Sequence, residues 1–171
     1  MLDATTQGIA PVLYLASPLF SAAELQFNAA LKKQLSPHLN VFLPQEDGGL
    51  LVDLVKSGID PVSATTHIFR IDIEAIRKCD ALLIVLDGRT VDEGACFELG
   101  FAYAIGKPCF GIQTDVRRML ETGNNPMIDV ALRQKFRGLD ELLSWARDFG
   151  RSGQKGKSSE QTNLVAKASI R

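Results

Sequence analysis

The chain has 171 residues, 46% of them hydrophobic and 23% charged, and a formal net charge of −1 at pH 7. These values are typical of a soluble globular protein with one domain, and the near-neutral charge gives no reason to expect a nucleic-acid or membrane partner. No apolar run approaches the roughly 20 residues that a membrane-spanning helix needs. The first eight residues have neither the basic nor the apolar region of a signal peptide.

The cysteine content predicts a reducing, cytoplasmic environment. Cys79, Cys96 and Cys109 are an odd number of thiols, and each lies in or beside an apolar segment. We therefore expect reduced, buried thiols rather than a disulfide framework. No Cys-x-x-Cys pair occurs, and His38 and His67 are isolated, so no metal site is predicted.

Hydrophobic patterns predict alternating strands and helices in the first half of the chain. Ser21 and Glu24 form the signature of a capping box at the start of one helix. Pro44 ends the second strand, and residues 45–49 are predicted to form a loop. The predicted elements are a strand at 11–16, a helix at 21–35, a strand at 40–43, a short helix or lid at 50–56 and a helix at 63–78.

The second half contains the clearest buried strand, residues 81–86, which is too apolar for a sheet with one face in water. Residues 113–137 are predicted to be irregular, with a possible strand or helix at 127–132. From Gly150 onward, Gly, Ser, Lys and Gln predict a flexible polar tail at 150–171, after a single folded domain at 1–149. The other predicted elements are a helix at 92–105, a strand at 109–112 and a helix at 138–149.

Strands that alternate with helices predict an α/β fold. We expect a parallel sheet with right-handed crossovers in a three-layer sandwich, flavodoxin-like or Rossmann-like. Ligands of such sheets bind outside the carboxyl ends of the strands. Three polar segments follow predicted strands there, at residues 17–20, 45–49 and 87–94.

One carboxylate stands in an otherwise apolar or small-residue helix. Glu98 lies within residues 94–106, where a helix hydrophobic on every side is normally buried. A buried glutamate is either paired within the structure or used as a reactive group, because an isolated buried carboxylate is costly. The polar loop just before the helix favours the reactive alternative.

Several further residues are candidates for the same site. The predicted topology brings Tyr14, Phe20, Gln45 and Asp92 toward Glu98, and Asp72 lies on the helix before the third strand. Three carboxylates with aromatic side chains and no metal ligands fit glycosyl chemistry, in which one carboxylate attacks an anomeric carbon and another acid protonates the leaving group.

Each of these residues also has a structural explanation. Asp92 is well placed to cap its helix, and Asp72 is equally consistent with an exposed helix acid. Tyr14 in a buried strand is more often a core residue, although its hydroxyl then needs a partner. Phe20 fits loop packing as well as base stacking, and a loop glutamine such as Gln45 is usually solvated.

The sequence resembles the nucleoside 2-deoxyribosyltransferases over residues 11–149. The similarity is carried by residues 14–20 (YLASPLF), by residues 80–87 and above all by residues 92–100 (DEGACFELG). The last block matches the family's hallmark, an Asp, a Gly two residues later and then Glu-Leu-Gly, in which the Glu is the covalent nucleophile. The resemblance therefore implies this role for Glu98.

The resemblance also implies roles for other residues. The catalytic set would include Tyr14, Asp72 and Asp92 beside Glu98. The substrate would contact Phe20, Gln45, Gly94, Asn125 and Met127. The family's late Asn-x-Met segment reaches into a neighbouring subunit's site, so Asn125 and Met127 imply a homodimer or homohexamer with shared sites. No cofactor is implied. The polar tail lacks the aromatic residue that some members contribute to the site, and residues 50–61 have no secure counterpart.

The sequence is compatible with three functions. The first is a transferase that exchanges the base of a 2′-deoxynucleoside with a free nucleobase, with hydrolysis as a side reaction. The second is a hydrolase of deoxynucleoside 5′-monophosphates, but residues 16–20 (ASPLF) lack the Arg and the Gly cluster that favour phosphate. The third is a non-catalytic nucleotide-sensing module, because a fold does not fix a function.

Overall fold

The computed structural model describes residues 10–118 and 123–168, with side chains up to residue 153. Within these ranges five strands and six α-helices alternate, together with a π-helical turn at Pro44–Gly48 and a 3₁₀ turn at Val116–Arg118. The strands are β1 Val12–Ala16, β2 Asn40–Phe42, β3 Ala81–Val85, β4 Cys109–Ile112 and β5 Gln134–Phe136. The helices are α1 Ala22–Leu35, α2 Leu51–Lys56, α3 Pro61–Lys78, α4 Glu93–Ala104, α5 Pro126–Asp129 and α6 Leu139–Ala168.

All five strands are parallel and lie in the order β2-β1-β3-β4-β5. This is the flavodoxin-like order, so the predicted fold class is confirmed. In register, Tyr14 of β1 stands beside Phe42 of β2 and Leu82 of β3. From β1 the chain runs first to β2 on one side and later to β3 on the other side of β1. The strand order therefore reverses at β1, and the crevice of this topology opens at the carboxyl ends of β1 and β3.

Helices cover both faces of the sheet and make three layers. One core contains Leu13 and Leu15 of β1 and side chains of α1 and α6, such as Leu31 and Leu142. The opposite core contains Tyr14 and Ala16 of β1 and side chains of α3 and α4, such as Ile76, Leu99 and Ala102. Successive residues of a strand point to opposite faces, which separates the two cores.

Local signals explain where the helices begin. Ser21 and Glu24 form the predicted capping box, with both reciprocal hydrogen bonds present. Helix α3 begins at Pro61, two residues before the predicted start, because Asp60 accepts hydrogen bonds from the next backbone amides and proline fits a first helical turn. None of the helices in the described ranges is both long and apolar enough to cross a membrane.

The predicted irregular region at 113–137 contains two elements that the sequence did not define. The possible strand or helix at 127–132 is the single-turn helix α5, and a fifth strand follows it at Gln134–Phe136. Only Phe136 of β5 is fully buried, so this edge strand lacks the continuous apolar run that marks β3. Residues 119–122 of the predicted irregular region lie outside the described residues.

Helix α6 continues to Ala168, so its predicted end at residue 149 is wrong. Two glycines that resemble helix-ending residues instead permit close packing. A Cβ atom on Gly150 would lie 2.6 Å from the carbonyl oxygen of His38, and one on Gly153 would collide with the Pro11 ring. The division at residue 149 and the flexibility of the tail stay predictions, and residues 169–171 lie outside the described ranges.

Candidate active site

A cavity of about 260 Å³ opens at the carboxyl ends of β1, β2 and β3. Its wall is formed by the loop after β1, the segment from Pro44 to the start of α2, one side of α3 and the start of α4. This is the crevice that the strand order predicts for a ligand. The predicted site residues on its lining are Phe20, Asp72, Asp92, Gly94 and Glu98.

Tyr14 and Glu98 form the closest polar contact of the site. Tyr14 is fully buried in β1, and its ring stacks on Phe42 with 5.4 Å between the ring centroids. Its hydroxyl donates a 2.6 Å hydrogen bond to Oε1 of Glu98. Burial, followed by the charge of Glu98, raises the pKa of Tyr14, so the phenol stays protonated and remains a donor. Tyr14 is therefore a core residue whose buried hydroxyl has Glu98 as its partner, and its catalytic role stays a prediction.

Burial raises the pKa of the Glu98 carboxyl to about 8. The hydrogen bond from Tyr14 acts in the opposite direction by stabilising the charged form, while the charges of Asp72 and Asp92 raise the pKa further. Glu98 therefore titrates near neutrality instead of near 4.5, its ordinary value. A perturbed carboxyl in a crevice is a candidate reactive group.

Asp72 lies on the side of α3 that faces the cavity rather than on an exposed face. Its Oδ1 is buried without a hydrogen-bond partner, and burial raises the pKa of this carboxyl to about 6. Gly48 of the π-helical turn leaves room for it, because a Cβ at residue 48 would lie 2.9 Å from Oδ1 of Asp72. Any larger residue at position 48 would therefore press on this carboxyl.

Asp92 both caps α4 and lines the cavity. Its Oδ2 accepts a 2.8 Å hydrogen bond from the backbone amide of Ala95, which is the capping interaction predicted from the sequence. A Cβ on Gly94 would lie 3.1 Å from the same oxygen, so glycine keeps this end of the helix open. The structural and functional interpretations of Asp92 are therefore compatible.

Three predicted substrate-binding residues do not line the cavity. Both ends of the Gln45 amide are engaged with α1: Oε1 accepts from Asn28 at 2.9 Å, and Nε2 donates to the carbonyl of Leu25 at 3.0 Å. Asn125 caps α5 by accepting from the Met127 amide, and the Met127 side chain is 82% exposed. A role for these two residues therefore requires a neighbouring subunit, and it stays a prediction.

The structure adds lining residues that the sequence did not single out for the site, among them Ser17, Leu50, Thr65 and Ile68. Thr65 and Ile68 could have been found, since they precede Asp72 by seven and four residues and share its side of α3. Ser17 belongs to the polar segment 17–20 that the sequence places at this edge of the sheet, although nothing distinguishes it within that segment. The position of Leu50 depends on how β2 and α2 meet.

This arrangement suits chemistry on an uncharged, partly aromatic substrate. The lining is mainly apolar, and it includes the three acidic residues Asp72, Asp92 and Glu98. Coupled acids lose their protons in steps that belong to the set, so between about pH 6 and pH 8 Asp72 and Glu98 together hold one proton. Such a set offers both an ionised carboxylate and a proton donor. Among the described residues, no three His, Cys, Asp or Glu side chains form a group suited to a metal ion.

Comparisons with known proteins agree with this geometry. A conserved protein from Enterococcus faecalis V583 has a similar structure, with a TM-score of 0.67 and 26% identity over 82% of this chain and 99% of its own. The 2-deoxyribosyltransferase of Bacillus psychrosaccharolyticus is similar with a TM-score of 0.64 and 26% identity, over 77% of this chain and 90% of its own. The CMP N-glycosidase of Clostridium botulinum is more distant, with a TM-score of 0.46 and 17% identity over 78% and 94% of the two chains.

No curated protein sequence matches this chain significantly. The sequence profile of the nucleoside 2-deoxyribosyltransferases, however, matches residues 13–165, which is most of the chain and includes every predicted site residue. Together with the parallel five-stranded sheet, this match decides the classification: the chain belongs to the nucleoside 2-deoxyribosyltransferase family.

Proposed function

We propose that the protein moves a 2-deoxyribosyl group from the base of one deoxynucleoside to a second, free nucleobase, through a covalent bond to Glu98. The observation that carries the proposal is the position of Glu98. Its carboxyl lines the cavity, accepts a 2.6 Å hydrogen bond from Tyr14 and feels the charges of Asp72 and Asp92. Membership of the family supports a deoxyribosyltransferase-type enzyme in general.

In the first half-reaction, the ionised carboxylate of Glu98 attacks C1′ of the sugar. A C1′–O bond to Glu98 forms as the C1′–N bond to the base breaks, and the electron pair of that bond leaves with the base. The departing base nitrogen takes a proton from Asp72, which shares one proton with Glu98 near neutrality. Since Glu98 has the higher pKa, the reactive form is the minor one, in which Asp72 holds this proton and Glu98 is ionised. Asp92 orients the sugar or the Glu98 carboxyl.

In the second half-reaction, a ring nitrogen of another base attacks C1′ and releases the Glu98 carboxylate. The proton that this nitrogen loses returns to Asp72, which restores the starting enzyme. Two displacements at C1′ retain its configuration. Attack by water instead of a base gives free deoxyribose, which is the hydrolytic side reaction, and a filled, mainly apolar cavity disfavours it.

The substrate class in the proposal is the unphosphorylated nucleoside. The part of the cavity wall formed by the described residues contains no lysine or arginine to pair with a phosphate. Phe20 is 79% exposed at this wall and supplies a free aromatic surface for a base. No cofactor enters either half-reaction. A cytoplasmic location is also part of the proposal and rests on the free thiols of Cys79, Cys96 and Cys109.

The proposal includes a homodimer or homohexamer in which Asn125 and Met127 complete a neighbouring subunit's site. Met127 and Val130 are 82% and 77% exposed on and just after α5, a large apolar exposure for a single turn of helix. Mixing inactive Glu98→Ala subunits with inactive Asn125→Ala subunits should restore activity, because some mixed sites hold both intact residues. Mass spectrometry of the mixture verifies that subunits exchange. Exchange without recovered activity would contradict shared sites.

Base exchange itself is tested by chromatography. The protein is incubated with 2′-deoxyinosine and free adenine, and formation of 2′-deoxyadenosine is the expected result. Release of hypoxanthine and deoxyribose without the new nucleoside would show a hydrolase instead. A parallel incubation with 2′-deoxyinosine 5′-monophosphate tests the phosphate-specific alternative, and binding without any reaction would indicate a sensing module.

A further inference from the structure

One residue of the cavity wall, Ser17, carries a hydroxyl that has no role in the chemistry above. Among the described residues, three buried side-chain oxygens lack a hydrogen-bond partner: Ser17 Oγ, Asn28 Oδ1 and Asp72 Oδ1. Two of the three, those of Ser17 and Asp72, belong to residues that line the cavity. Buried polar atoms without partners are uncommon in folded proteins, and each calls for an explanation. For Asp72 the proposed proton transfer supplies one, and Ser17 remains to be explained.

Ser17 differs from other serines of the chain. Serine hydroxyls near turns and helices usually bond to the local backbone. Ser36 donates to the carbonyl of Lys32 at 2.7 Å, Ser57 donates to that of Leu54 at 2.7 Å, and Ser21 caps α1. Ser17 is only 5% exposed, yet its hydroxyl makes none of these bonds. Its hydrogen-bonding capacity is therefore left for a group that enters the cavity.

A side chain of helix α1 holds the backbone next to Ser17 in place. Asn28 of α1 is fully buried, and its Nδ2 donates to the carbonyl oxygen of Pro18 at 2.8 Å and to Oε1 of Gln45 at 2.9 Å. One amide thus links the loop after β1 to the turn after β2. Such a link fixes the loop before any substrate binds, which limits the entropy lost when the hydroxyl forms a bond.

The topology places Ser17 on the side of the cavity where the base would lie. Ser17 shares its loop with Leu19 and Phe20, the apolar and aromatic part of the wall. The adjacent strand β2 leads into the turn in which Gly48 leaves room for the Asp72 carboxyl, the proposed proton donor to the base. The other polar lining residues, Asp92 and Glu98, belong to α4 and are assigned to the sugar.

We infer that Ser17 is a substrate-binding residue whose hydroxyl forms a hydrogen bond with the edge of the nucleobase. This inference rests on the proposed function, because it names a contact within the same substrate complex. A hydroxyl is both a donor and an acceptor and rotates to suit its partner. It therefore serves a base carbonyl, a ring nitrogen or an amino group, which suits an enzyme that must hold two different bases in turn.

Ser17→Ala tests the inference, with Ser36→Ala as the matched control outside the cavity. Binding of 2′-deoxyadenosine is measured by calorimetry in the Glu98→Ala background, so that turnover is not required. We expect Ser17→Ala to weaken binding about five- to thirtyfold, the range of one lost hydrogen bond, while Ser36→Ala has no effect. The substrate-free Ser17→Ala protein should melt at the same or a higher temperature, because an unpartnered buried hydroxyl has been removed.

Base analogues identify the atom that is bound. The same titrations use purine 2′-deoxyriboside, 7-deaza-2′-deoxyadenosine and 2′,3′-dideoxyadenosine. For the base analogue that lacks the partner atom, Ser17→Ala should cause no further loss. Unchanged affinity for every ligand, or a lower melting temperature with unchanged affinity, would overturn the inference. The inference would also be overturned if Ser17→Ala weakened the binding of every ligand except 2′,3′-dideoxyadenosine, because the hydroxyl would then bind the sugar. If the wild-type protein exchanges no bases while these affinity differences hold, the proposed function is wrong, but the inference that Ser17 binds the nucleobase stands.

Discussion

The two faces of the central sheet are built from alternate residues of the same strands, yet their contents differ. The face under α1 and α6 has a large apolar core with an aromatic cluster, in which the rings of Phe110 and Phe136 lie tilted against Trp145 with 4.4 and 5.3 Å between ring centroids. The face under α3 and α4 carries Tyr14, and at its carboxyl end the carboxyls of Glu98 and Asp72.

This difference indicates how one small domain combines stability with a reactive site. Burying a carboxyl group costs free energy, and here burial raises the pKa of both Glu98 and Asp72. The apolar face has no such cost and supplies burial and close packing. Substitutions on the two faces should therefore have opposite consequences for stability and activity.

The largest effect is expected for Glu98→Gln on the reactive face. Removing the nucleophile removes the covalent pathway, so kcat should fall by about a thousandfold or more. Folding stability should rise at pH 8. The pKa of Glu98 is raised from 4.5 to about 8 in the folded protein, so the folded state binds more protons between these values and the wild type loses stability as the pH rises through them.

Thermal unfolding at two pH values checks the stability part of this prediction. Glu98→Gln should melt above the wild type at pH 8, and the difference should shrink as the pH falls to and below 4.5, where the folded carboxyl is protonated and the unfolded one becomes so. The neighbouring exposed Glu93→Gln serves as the control. An equal or larger stabilisation at the lower pH would contradict the assigned pKa shift.

Phe136→Ala makes the converse test on the apolar face. Phe136 is fully buried between Phe110 and Trp145, so truncation should lower the free energy of unfolding by about 3–5 kcal/mol. Denaturant titration measures this loss. At a temperature where the variant remains folded, kcat/KM should stay within about threefold of the wild type, because a distant packing defect leaves the cavity intact. A large loss of activity in the folded variant would show that the faces are coupled.

Asp72→Asn removes the proposed proton donor. Turnover of 2′-deoxyadenosine should fall by about a hundred- to a thousandfold, the usual contribution of general acid catalysis. Turnover of 7-methyl-2′-deoxyguanosine, whose base leaves as a neutral molecule, should fall far less. Equal losses on both substrates would indicate that Asp72 acts only in binding.

The pH profile sharpens the same assignment. In the wild type, kcat/KM should be bell-shaped with apparent pKa values near 6 and 8, because activity needs one proton shared between Asp72 and Glu98. Below the lower value both carboxyls are protonated, so no carboxylate is free to attack C1′. Above the upper value both are ionised, so no acid remains to protonate the departing base. Asp72→Asn should remove the alkaline limb and leave a profile that rises with pH to a plateau.

Tyr14→Phe is expected to have the smallest effect on activity among the substitutions of the reactive face. Loss of one hydrogen bond to the Glu98 carboxylate should lower kcat/KM by about ten- to a hundredfold. Since that bond lowers the pKa of Glu98, the upper limb of the profile should move to higher pH. Tyr103→Phe is the matched control, because Tyr103 is 57% exposed and does not line the cavity. Similar effects of both variants on kcat/KM would contradict a role for the Tyr14 hydroxyl in orienting Glu98.

The sequence predicted those features that depend on local patterns. Three such features depend on only a few adjacent residues, and all three are present in the structure. They are the continuous apolar run of β3, the capping box at Ser21 and the Asp92 cap of α4. These signals suffice for a parallel sheet and for the position of Glu98. Strand β5 was not predicted because Gln134 and Lys135 leave an edge strand with a single buried side chain.

The features that the sequence could not supply depend on contacts between distant segments. Gln45 is bound to Asn28, 17 residues away, and this contact turns a predicted substrate ligand away from the cavity. Gly150 permits close approach of α6 to His38 instead of ending the helix. The unpartnered hydroxyl of Ser17 likewise follows from the meeting of β1, α1 and the turn after β2. Local propensity carries no information about such contacts.

The covalent intermediate is the central claim, and mass spectrometry of the digested protein tests it most directly. The wild-type protein is mixed with 2′-deoxyadenosine in the absence of a second base, quenched in acid and digested. We predict a mass increase of one deoxyribosyl group on the peptide that contains Glu98, no increase in Glu98→Gln, and loss of the label when free hypoxanthine is added before the quench. Rapid base exchange by a protein that never carries this label, or a label on Asp72 or Asp92 instead, would contradict the account.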